Sequence, residues 1–448
     1  MSSHPVMRSD GKESTGRRDV APPRVCIVAE SFVPVVGGME RQLSALAEGL
    51  AARGARTTVV TLRNRPGLAE QEQLGGATVY RIAPSANRWT SLAAVLRELY
   101  RLRHEHDVIL VGGFRTLGLP AVVHARRYGK HVVLRAECNG ELSGAFFDPG
   151  LARIRLTHRA APLVPLNAAR KALLARADRF IALAQSMREE FLREGVPASR
   201  IVVIPNGVDI QRFHPATPEE RYSLRVRLGL PVHARIVCFA GRLVSRKGAL
   251  TLLQAWRSMD RALAPSESAP VPAARLLLFL GGGGSGQDNC EAEARRLCVE
   301  SDLTHSVRFL GDVTNVEEYL RAADVFALPT SNDAFAIAVT EAMASGLPVV
   351  TTRVAGLADY VVPDSNALAV APDDEPALHA ALVRLLGDAA LRARLGVEAR
   401  RTAERFAQDG VIDRHLELFR ELAAHAASMR PPPTRDVGPM APADFRSA

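Results

Sequence analysis

The segment Arg24-Val-Cys-Ile-Val-Ala29 leads into the loop Phe32-Val-Pro-Val-Val-Gly-Gly38 and then into a helical pattern over residues 39–52. A short apolar, β-branched run is typical of a buried strand, so this stretch predicts a strand–loop–helix unit. The unit recurs along the first half of the chain, with further strands predicted at residues 57–62, 78–82, 108–111, 131–134, 179–183 and 201–204. Strands that alternate with helices in this way predict a parallel sheet covered on both faces.

A second series of the same kind begins after turn-forming residues at 205–207 and 214–218. Its strands are predicted at residues 235–240, 275–280, 306–310, 325–328 and 348–352, and the chain is wholly helical after Pro376, with a last amphipathic pattern over 390–425. A length of 448 residues also exceeds what one core usually supports. The predicted fold class is therefore α/β, with two Rossmann-like doubly wound domains facing an interdomain cleft, which is where open α/β sheets bind ligands.

These patterns divide the chain into predicted segments. They are a disordered tail over 1–22, an N-terminal domain over 23–212, a C-terminal domain over 213–400, a C-terminal helix over 401–428 and a disordered tail over 429–448. The insert 262–273 is predicted to be a flexible surface loop. Five cysteines without metal-knuckle spacing are typical of reduced thiols, and the N-terminus lacks the apolar core of a secretory signal. We therefore expect a cytoplasmic protein.

The chain carries a formal net charge of +9, with a pI near 9.7, which predicts an acidic partner. Within residues 151–179, basic residues alternate with leucines, a mixture that fits either an anionic lipid surface on the inner face of the cytoplasmic membrane or a solvated basic face. The basic residues are Arg153, Arg155, Arg159, Arg170, Lys171, Arg176 and Arg179. Nucleic acid is not expected as a partner, because aromatic residues make up 5% of the chain and none interleave with this basic set.

Two carboxylates, Asp333 and Glu341, stand with seven residues between them in the stretch 331–350. If a helix begins near Ala336, its free N–H groups and dipole can hold an anion such as a diphosphate. Asp333 would then lie just before the helix and Glu341 one to two turns inside it. For the spacing alone, an ordinary amphipathic helix with an N-terminal carboxylate is the more common explanation, so the other motifs must decide.

Two loops add candidate ligands for such an anion. Gly37-Gly38 follows the first strand, where backbone without Cβ atoms can approach a ligand, and Glu40 and Arg41 could face the cleft from the first turn of the following helix. Arg242 and Lys247 lie in the loop after the first strand of the second series, where two cations can clamp a diphosphate and stabilise it as it departs. A tight turn and a surface loop remain the alternatives for these two segments.

The run Gly281-Gly-Gly-Gly-Ser-Gly286 formally matches the dinucleotide fingerprint G-x-G-x-x-G. It follows the second strand of its series rather than the first, and Asp312 lies further on than the acidic residue that the fingerprint requires. An NAD-dependent dehydrogenase is therefore the least favoured interpretation. Because no metal-ligand spacing and no nucleophile elbow occur, we expect neither a metal ion nor a cofactor.

Together these motifs resemble the family 4 retaining glycosyltransferases, which have the GT-B architecture of two Rossmann-like domains. The resemblance covers about residues 24–425, and its pieces stand in the family's order. They are Gly37-Gly38-Met39-Glu40, Ile204-Pro-Asn-Gly-Val-Asp209 with Phe213 and Pro215, Gly241-Arg242 with Lys247-Gly248, Val307-Arg-Phe-Leu-Gly311, and Asp333 to Pro348.

The resemblance implies transfer of a sugar from a nucleotide-sugar donor to a glycan or lipid-linked acceptor, with retained anomeric configuration and without a metal ion. Arg242 and Lys247 would hold the donor diphosphate, and Glu341 the ribose hydroxyls. Asp333 would lie against the donor sugar. The remaining donor contacts would come from Gly37, Gly38, Phe335, Ala336 and Ile337, with Phe309 and Leu310 near the nucleobase.

Two departures from the family pattern bear on this interpretation. Asp333 replaces a Glu, and Ala334 and Ala336 stand where the family usually has Gly, so the donor-sugar pocket is expected to differ. After the strand at 131–134, where many members have a His, this chain offers Glu137, Asn139 or Glu141 for the acceptor-side role, and Glu137 is our catalytic candidate. A non-catalytic protein that binds sugar nucleotides or glycans is the alternative function.

Overall fold

The computed structural model describes residues 22–35, 37–83, 88–151, 155–262, 274–283 and 288–428. The predicted tails, apart from residue 22, and the predicted surface loop, apart from residue 262, lie outside these ranges. Within them the chain forms two sheets, each flanked by helices. The predicted class, α/β with two doubly wound domains, is confirmed.

The first domain is built on a sheet with the strand order β3-β4-β2-β1-β5-β6-β7-β8 in the described residues. Its neighbouring strands are parallel except for the hairpin of β3 and β4. The strands are β1 Arg24–Ala29, β2 Arg56–Leu62, β3 Gln71–Leu74, β4 Ala77–Ile82, β5 Val108–Gly112, β6 His131–Arg135, β7 Arg179–Ala182 and β8 Ile201–Val203. The helices are α1 Gly38–Ala52, α2 Arg88–Arg101, α3 Phe114–Tyr128, α4 Asp148–Leu151, α5 Val164–Leu174 and α6 Gln185–Arg193.

The second domain has a parallel sheet with the order β11-β10-β9-β12-β13-β14. Its strands are β9 Arg235–Ala240, β10 Arg275–Leu280, β11 Val307–Gly311, β12 Val325–Leu328, β13 Val349–Thr352 and β14 Leu368–Val370. The helices are α7 Pro218–Arg227, α8 Ala249–Ala262, α9 Glu291–Glu300, α10 Val316–Ala322, α11 Ile337–Ala344, α12 Glu375–Gly387, α13 Ala389–Glu404 and α14 Gln408–Ser428.

Each predicted strand occurs within one residue of its predicted bounds, because its apolar run is long and buried. The prediction missed β3 and β14. Strand β3 has the polar sequence QEQL and a half-exposed edge, so it carries little of the apolar signal by which strands are recognised.

The C-terminal helical segment differs from its prediction. The single pattern over 390–425 is divided into α13 and α14, and the helix predicted over 401–428 begins at Gln408, because residues 401–404 still belong to α13. Helix α14 then packs on β5 and β6 of the first domain's sheet, and its buried Ile412, Leu416 and Phe419 belong to the same hydrophobic cluster as the strand residues Val25 and Ile27. An amphipathic pattern shows that a helix has a buried face but not which sheet covers it.

Two chain crossings therefore connect the domains, and they are hydrogen-bonded to each other. The Val208 amide donates to the Phe406 carbonyl at 2.8 Å, and the Gln408 amide donates to the Val208 carbonyl at 2.9 Å. The Gln42 side chain in α1 bonds both to the amide and to the carbonyl of Gly207, at 3.0 and 2.8 Å. No helix within the described ranges has the length and apolar character needed to cross a membrane.

Candidate active site

The first turns of α1 and α11 face each other across the cleft between the domains. A Cβ atom at Gly38 would lie 3.0 Å from the Ile337 Cδ1 atom, so a larger residue would require the Ile337 side chain to shift by a few tenths of an ångström. Nearby, the Arg41 guanidinium lies 3.6 Å from the Glu341 carboxylate of the other domain. The structure thus brings the Gly37-Gly38 loop and the Asp333–Glu341 segment together, as the sequence pattern predicted.

Lys247 and Asp333 form an ion pair in the cleft. The Lys247 Nζ donates to Asp333 Oδ2 at 2.6 Å, and the two side chains are only 17% and 11% exposed. Their loops are held together because the Arg246 carbonyl accepts hydrogen bonds from the Ser331 amide at 2.8 Å and the Thr330 hydroxyl at 2.9 Å. The ammonium group is therefore held at the loop formed by residues 329–336, which we call the donor loop after its expected role.

Gly248 sets the backbone that presents this lysine. Its φ of 77° lies in the left-handed region, and a Cβ atom there would overlap the Pro329 carbonyl oxygen. Arg242, at the start of the same loop, is exposed. Of the two predicted cations in the loop after β9, Lys247 is therefore paired in the cleft and Arg242 is exposed to solvent.

Glu341 lies in the second turn of α11 and is 6% exposed. Burial raises the pKa of its carboxyl group, and the positive charges of Arg41 and Arg212 oppose that shift. The Arg41 guanidinium lies 3.6 Å from this buried carboxylate, which leaves the carboxylate oxygens able to accept hydrogen bonds from ligand hydroxyls in the cleft.

The predicted contacts at the start of α11 are of two kinds. Ala336 is buried and Phe335 packs its ring against Tyr360 and Phe406, with centroid distances of 5.0 and 5.6 Å. Their side chains point into the core, so these two residues can meet a ligand only through their backbone. Ile337 is half-buried and faces Gly38.

The predicted nucleobase position is also partly occupied. Phe309 stacks on Phe279 with a centroid distance of 4.9 Å and an interplanar angle of 10°. The Arg295 guanidinium lies 4.8 Å from the Phe309 centroid. A base beside Leu310, which is half-buried, would therefore meet the edge of the Phe309 ring or the backbone of β11.

The glycine-rich run after β10 does not present free amides in its described part. The Gly282 amide donates to Asp312 at 3.1 Å, and the Gly283 amide donates to Glu291 at 2.8 Å. Residues 284–287 lie outside the described ranges. A dinucleotide phosphate would have to displace these two carboxylates, so the structure gives the dehydrogenase interpretation no support.

On the first domain, the structure separates the three acceptor-side candidates. Glu137 is paired with Arg135 and its Cγ lies near the cleft loop at Gly113. Burial raises the pKa of Glu137 to about 7, and the Arg135 charge opposes that shift. Glu141 instead accepts hydrogen bonds from its own loop, from the amides of Glu137 and Cys138 at 3.0 and 3.3 Å. Glu137 is therefore the better placed carboxylate, and Asn139 lies half-buried between the two.

Two features of the site were not predicted from the sequence. Gly356 packs behind the donor loop, so closely that a Cβ atom would overlap the Asp333 carbonyl oxygen and lie 2.6 Å from that of Ala334. Glu30, at the end of β1, pairs with Arg115 at 2.9 Å in the wall of a cavity. A lone glycine and a lone carboxylate after a strand are too common to stand out in a sequence.

The basic segment 151–179 is less cationic at the surface than its sequence indicates. The Arg170 guanidinium donates to the carbonyls of Glu141 and Leu142, Lys171 pairs with Glu194, and Arg179 pairs with Glu421. Arg153 lies outside the described residues. The exposed basic side chains of the described part are those of Arg155, Arg159 and Arg176.

Comparison with known proteins identifies the relatives of both domains. A family model described as Glycosyltransferase Family 4 matches residues 36–212, and one described as Glycosyl transferases group 1 matches residues 234–388. The D-inositol 3-phosphate glycosyltransferase of Xylanimonas cellulosilytica is 34% identical over 265 residues, which are 58% of this chain and 60% of that protein. The chain thus spans less than two thirds of that curated relative's length.

Two solved structures share the fold over nearly the whole chain. Sucrose-phosphate synthase from Thermosynechococcus elongatus has a TM-score of 0.72 and 24% identity, covering 90% of this chain and 100% of that one. HepE from Anabaena, in complex with UDP and glucose, has a TM-score of 0.70 and 20% identity, covering 89% of this chain and 100% of its own.

Proposed function

Because this chain belongs to the family 4 glycosyltransferases and has their GT-B fold, we propose that it transfers a sugar from a nucleotide-sugar donor to an acceptor hydroxyl, with retention and without a metal ion. The observation that carries the proposal is the arrangement in the cleft. Glu341 and Ile337 of α11 meet the first turn of α1 in the opposite domain, and Lys247 pairs with Asp333 in the loop before α11. In a sugar nucleotide, the diphosphate complements the lysine, and the hydroxyl groups of the ribose and of the donor sugar complement the two carboxylates.

In this proposal the second domain holds the donor. The diphosphate lies between Lys247, Arg242 and the first N–H groups of α11, so that its negative charge is met as the bond from the anomeric carbon to phosphate oxygen breaks. These cations take the place of a metal ion. Glu341 accepts hydrogen bonds from the ribose hydroxyls, and Asp333, released from Lys247, accepts them from the donor sugar.

Calorimetric titration with a panel of nucleotide sugars tests donor recognition. UDP-glucose, UDP-linked sugars of other stereochemistry and GDP-mannose are the first choices, because the structural relative HepE binds UDP with glucose. We expect saturable binding of at least one donor. If none binds, the proposed function fails.

The alternative function is a non-catalytic protein that binds sugar nucleotides or glycans. It is supported by the ion pair between Asp333 and Lys247, because each of these two groups is already bound to the other. It predicts binding of a donor without release of free nucleotide. Turnover that disappears in the Glu341→Ala variant would eliminate this alternative.

Glu137 is proposed as the acceptor-side residue, which accepts the proton or hydrogen bond of the attacking hydroxyl. Since burial raises the pKa of Glu137 to about 7, its carboxylate form is lost as the pH falls through that value. We expect the transfer rate to rise with pH up to about 7 and to level off above it.

The Glu137→Gln variant should remove this limb of the pH–rate profile and lower the rate by about 10²-fold. Asn139→Ala, in the same loop, is the matched control and should keep the limb. If the profile of Glu137→Gln instead parallels that of the wild type, the limb belongs to another group.

We further propose that the protein rests on the cytoplasmic face of an anionic membrane through the surface formed by α5 and the loop before it. On α5, Val164 and Leu166 are 49% and 68% exposed, and Arg155 and Arg159, which precede α5 in the chain, are also exposed. Exposed apolar side chains bordered by cations fit the boundary between headgroups and acyl chains. The free state of the five cysteines supports a cytoplasmic location.

Sedimentation with vesicles that contain anionic lipid tests this docking. We expect wild-type protein to bind and the Leu166→Glu variant to lose about tenfold in partitioning, since an apolar contact is replaced by a repelled charge. Val299→Glu is the matched control, because Val299 on α9 is equally exposed at 68%. Equal loss in both variants would contradict a specific membrane surface.

A further inference from the structure

Arg135 is a buried arginine at the carboxyl end of β6, and its guanidinium joins two parts of the molecule. One terminal nitrogen donates to the Glu137 carboxylate, and the other donates to the side-chain oxygen of Asn206. Asn206 directly precedes Gly207 and Val208, where the first of the two chain crossings is held by hydrogen bonds. One guanidinium therefore connects the acceptor-side carboxylate to the crossing between the domains.

The same arginine lines a small cavity beside the crossings. The cavity measures about 20 Å³, and its wall includes Gly207 of the first crossing, Gln408 of the second and His415 of α14. Burial lowers the pKa of His415 to about 3, so the imidazole is neutral at neutral pH. Its Nδ1 lies 2.8 Å from the Val411 carbonyl oxygen, which places the proton on Nδ1 and leaves Nε2 as an acceptor.

Two buried nitrogen atoms of these lining residues have hydrogen-bonding capacity left. Within the described ranges, neither the Arg135 Nε nor the His415 Nε2 has a hydrogen-bond partner. A polar cavity of about 20 Å³ is large enough for one water molecule, which can accept a hydrogen bond from the arginine and donate one to the histidine. Such a water extends the link from Arg135 to α14, the helix that the second crossing leads into.

The charge of Arg135 also acts on the ionisation of Glu137. Burial raises the pKa of Glu137 to about 7, and the Arg135 charge is the largest effect that opposes this rise. Glu141 of the same loop and Glu40 of α1 raise the pKa of Glu137 further, whereas Arg115 of α3 lowers it. Arg135 therefore favours the carboxylate form, which is the form that can accept a proton.

We propose that Arg135 is a positioning residue, which ties the acceptor-side carboxylate of Glu137 to the crossing at Asn206. The inference rests on the proposed function, which it makes more specific. A planar guanidinium suits this task because its two terminal nitrogens donate in fixed directions, so the place of one acceptor sets the place of the other. The alignment of Glu137 towards the attacking hydroxyl then depends on how the crossing holds Asn206.

Arg135→Gln tests the electrostatic part of this role. Without the cation the pKa of Glu137 should rise, so the limb of the pH–rate profile should move from about 7 to higher pH. We expect the rate at pH 7 to fall about fivefold or more and to recover as the pH is raised, which a general loss of structure does not produce. Initial rates of transfer between pH 5 and pH 9, about the range that brackets both limbs, measure the shift.

Asn206→Ala tests the link to the crossing, because it leaves the ion pair of Arg135 with Glu137 in place. The limb should stay at about 7, while the plateau rate should fall by about tenfold as the carboxylate loses its alignment. Donor affinity should not change, since the donor is held by the second domain in the proposed mechanism. Arg135→Lys keeps the charge without the fork, so it should behave like Asn206→Ala.

Arg170→Gln is the matched control. Arg170 also braces the loop that contains Glu137, but it does so through two backbone carbonyls and is not bonded to the Glu137 carboxylate in the described residues. This variant should keep the limb at about 7.

A limb that stays at about 7 in a folded Arg135→Gln protein overturns the inference, as does a wild-type plateau rate in Asn206→Ala. If Arg135→Gln does not fold, the plateau rates of Asn206→Ala and Arg135→Lys decide the question. A limb that survives in Glu137→Gln also overturns the inference, while the proposed function stands. Absence of donor turnover would instead refute the proposed function itself.

Discussion

The Lys247→Ala variant is expected to lose about 10²- to 10³-fold in kcat with the preferred donor, the loss typical of removing one preorganised group that stabilises developing charge. Lys247 is buried enough to keep its ammonium in the cleft, and Asp333 holds it at 2.6 Å. In the proposed mechanism its contribution grows as the diphosphate departs, so kcat should fall more than donor binding. Initial rates of nucleotide release at saturating donor measure the effect.

Lys171→Ala is the matched control for this variant. Lys171 also pairs with a glutamate, Glu194, but lies on α5, away from the donor loop. The control should retain wild-type rates. A decrease in kcat of less than about threefold in Lys247→Ala would contradict the assigned role.

The Gly356→Ala variant should be nearly as damaging, although it removes no functional group. A Cβ atom at this position would overlap the Asp333 carbonyl oxygen, so we expect the loop that carries Asp333 to be displaced from its present position. Displacement of a catalytic group by about 1 Å can cost about 10²-fold in rate. We expect a loss of about this size in kcat/KM for the donor, measured with the same nucleotide-release assay.

Gly387→Ala is the control, since a Cβ atom at Gly387 meets no atom within 4 Å. It should leave the kinetics unchanged. Thermal unfolding of both variants should accompany the assay, because it separates a displaced donor loop from a general loss of folding. A folded Gly356→Ala protein with wild-type kcat/KM would show that the donor loop tolerates the shift.

The strands of the fold could be predicted closely because each one is recognised from a short continuous segment of the sequence. Buried parallel strands are continuous apolar runs, so their positions follow from the chain itself. The docking of α14 on the first sheet could not be predicted, since Phe419 and the strand residue Ile27 are nearly four hundred positions apart and any exposed sheet face fits the helix equally well. Strand β3 was missed because its residues are polar.

The positions of Lys247 and Glu341 beside the cleft were predictable because both lie in segments that follow strands of the second sheet, whereas their roles stay predictions. The sequence could not predict roles that depend on the direction in which a side chain points. Glu137 and Glu141 are alike in sequence, yet one lies by the cleft and the other bonds to its own loop. Likewise Arg170 belongs to a basic run but directs its donors to backbone carbonyls.

The most direct measurement of the central claim is nucleotide release from the donor panel in the presence of an acceptor mixture and excess EDTA. We predict donor-dependent release with at least one nucleotide sugar, at a rate that Mg²⁺ does not increase and that Lys247→Ala lowers by about 10²-fold or more. No release from any donor, or release that EDTA stops and Mg²⁺ restores, would contradict it.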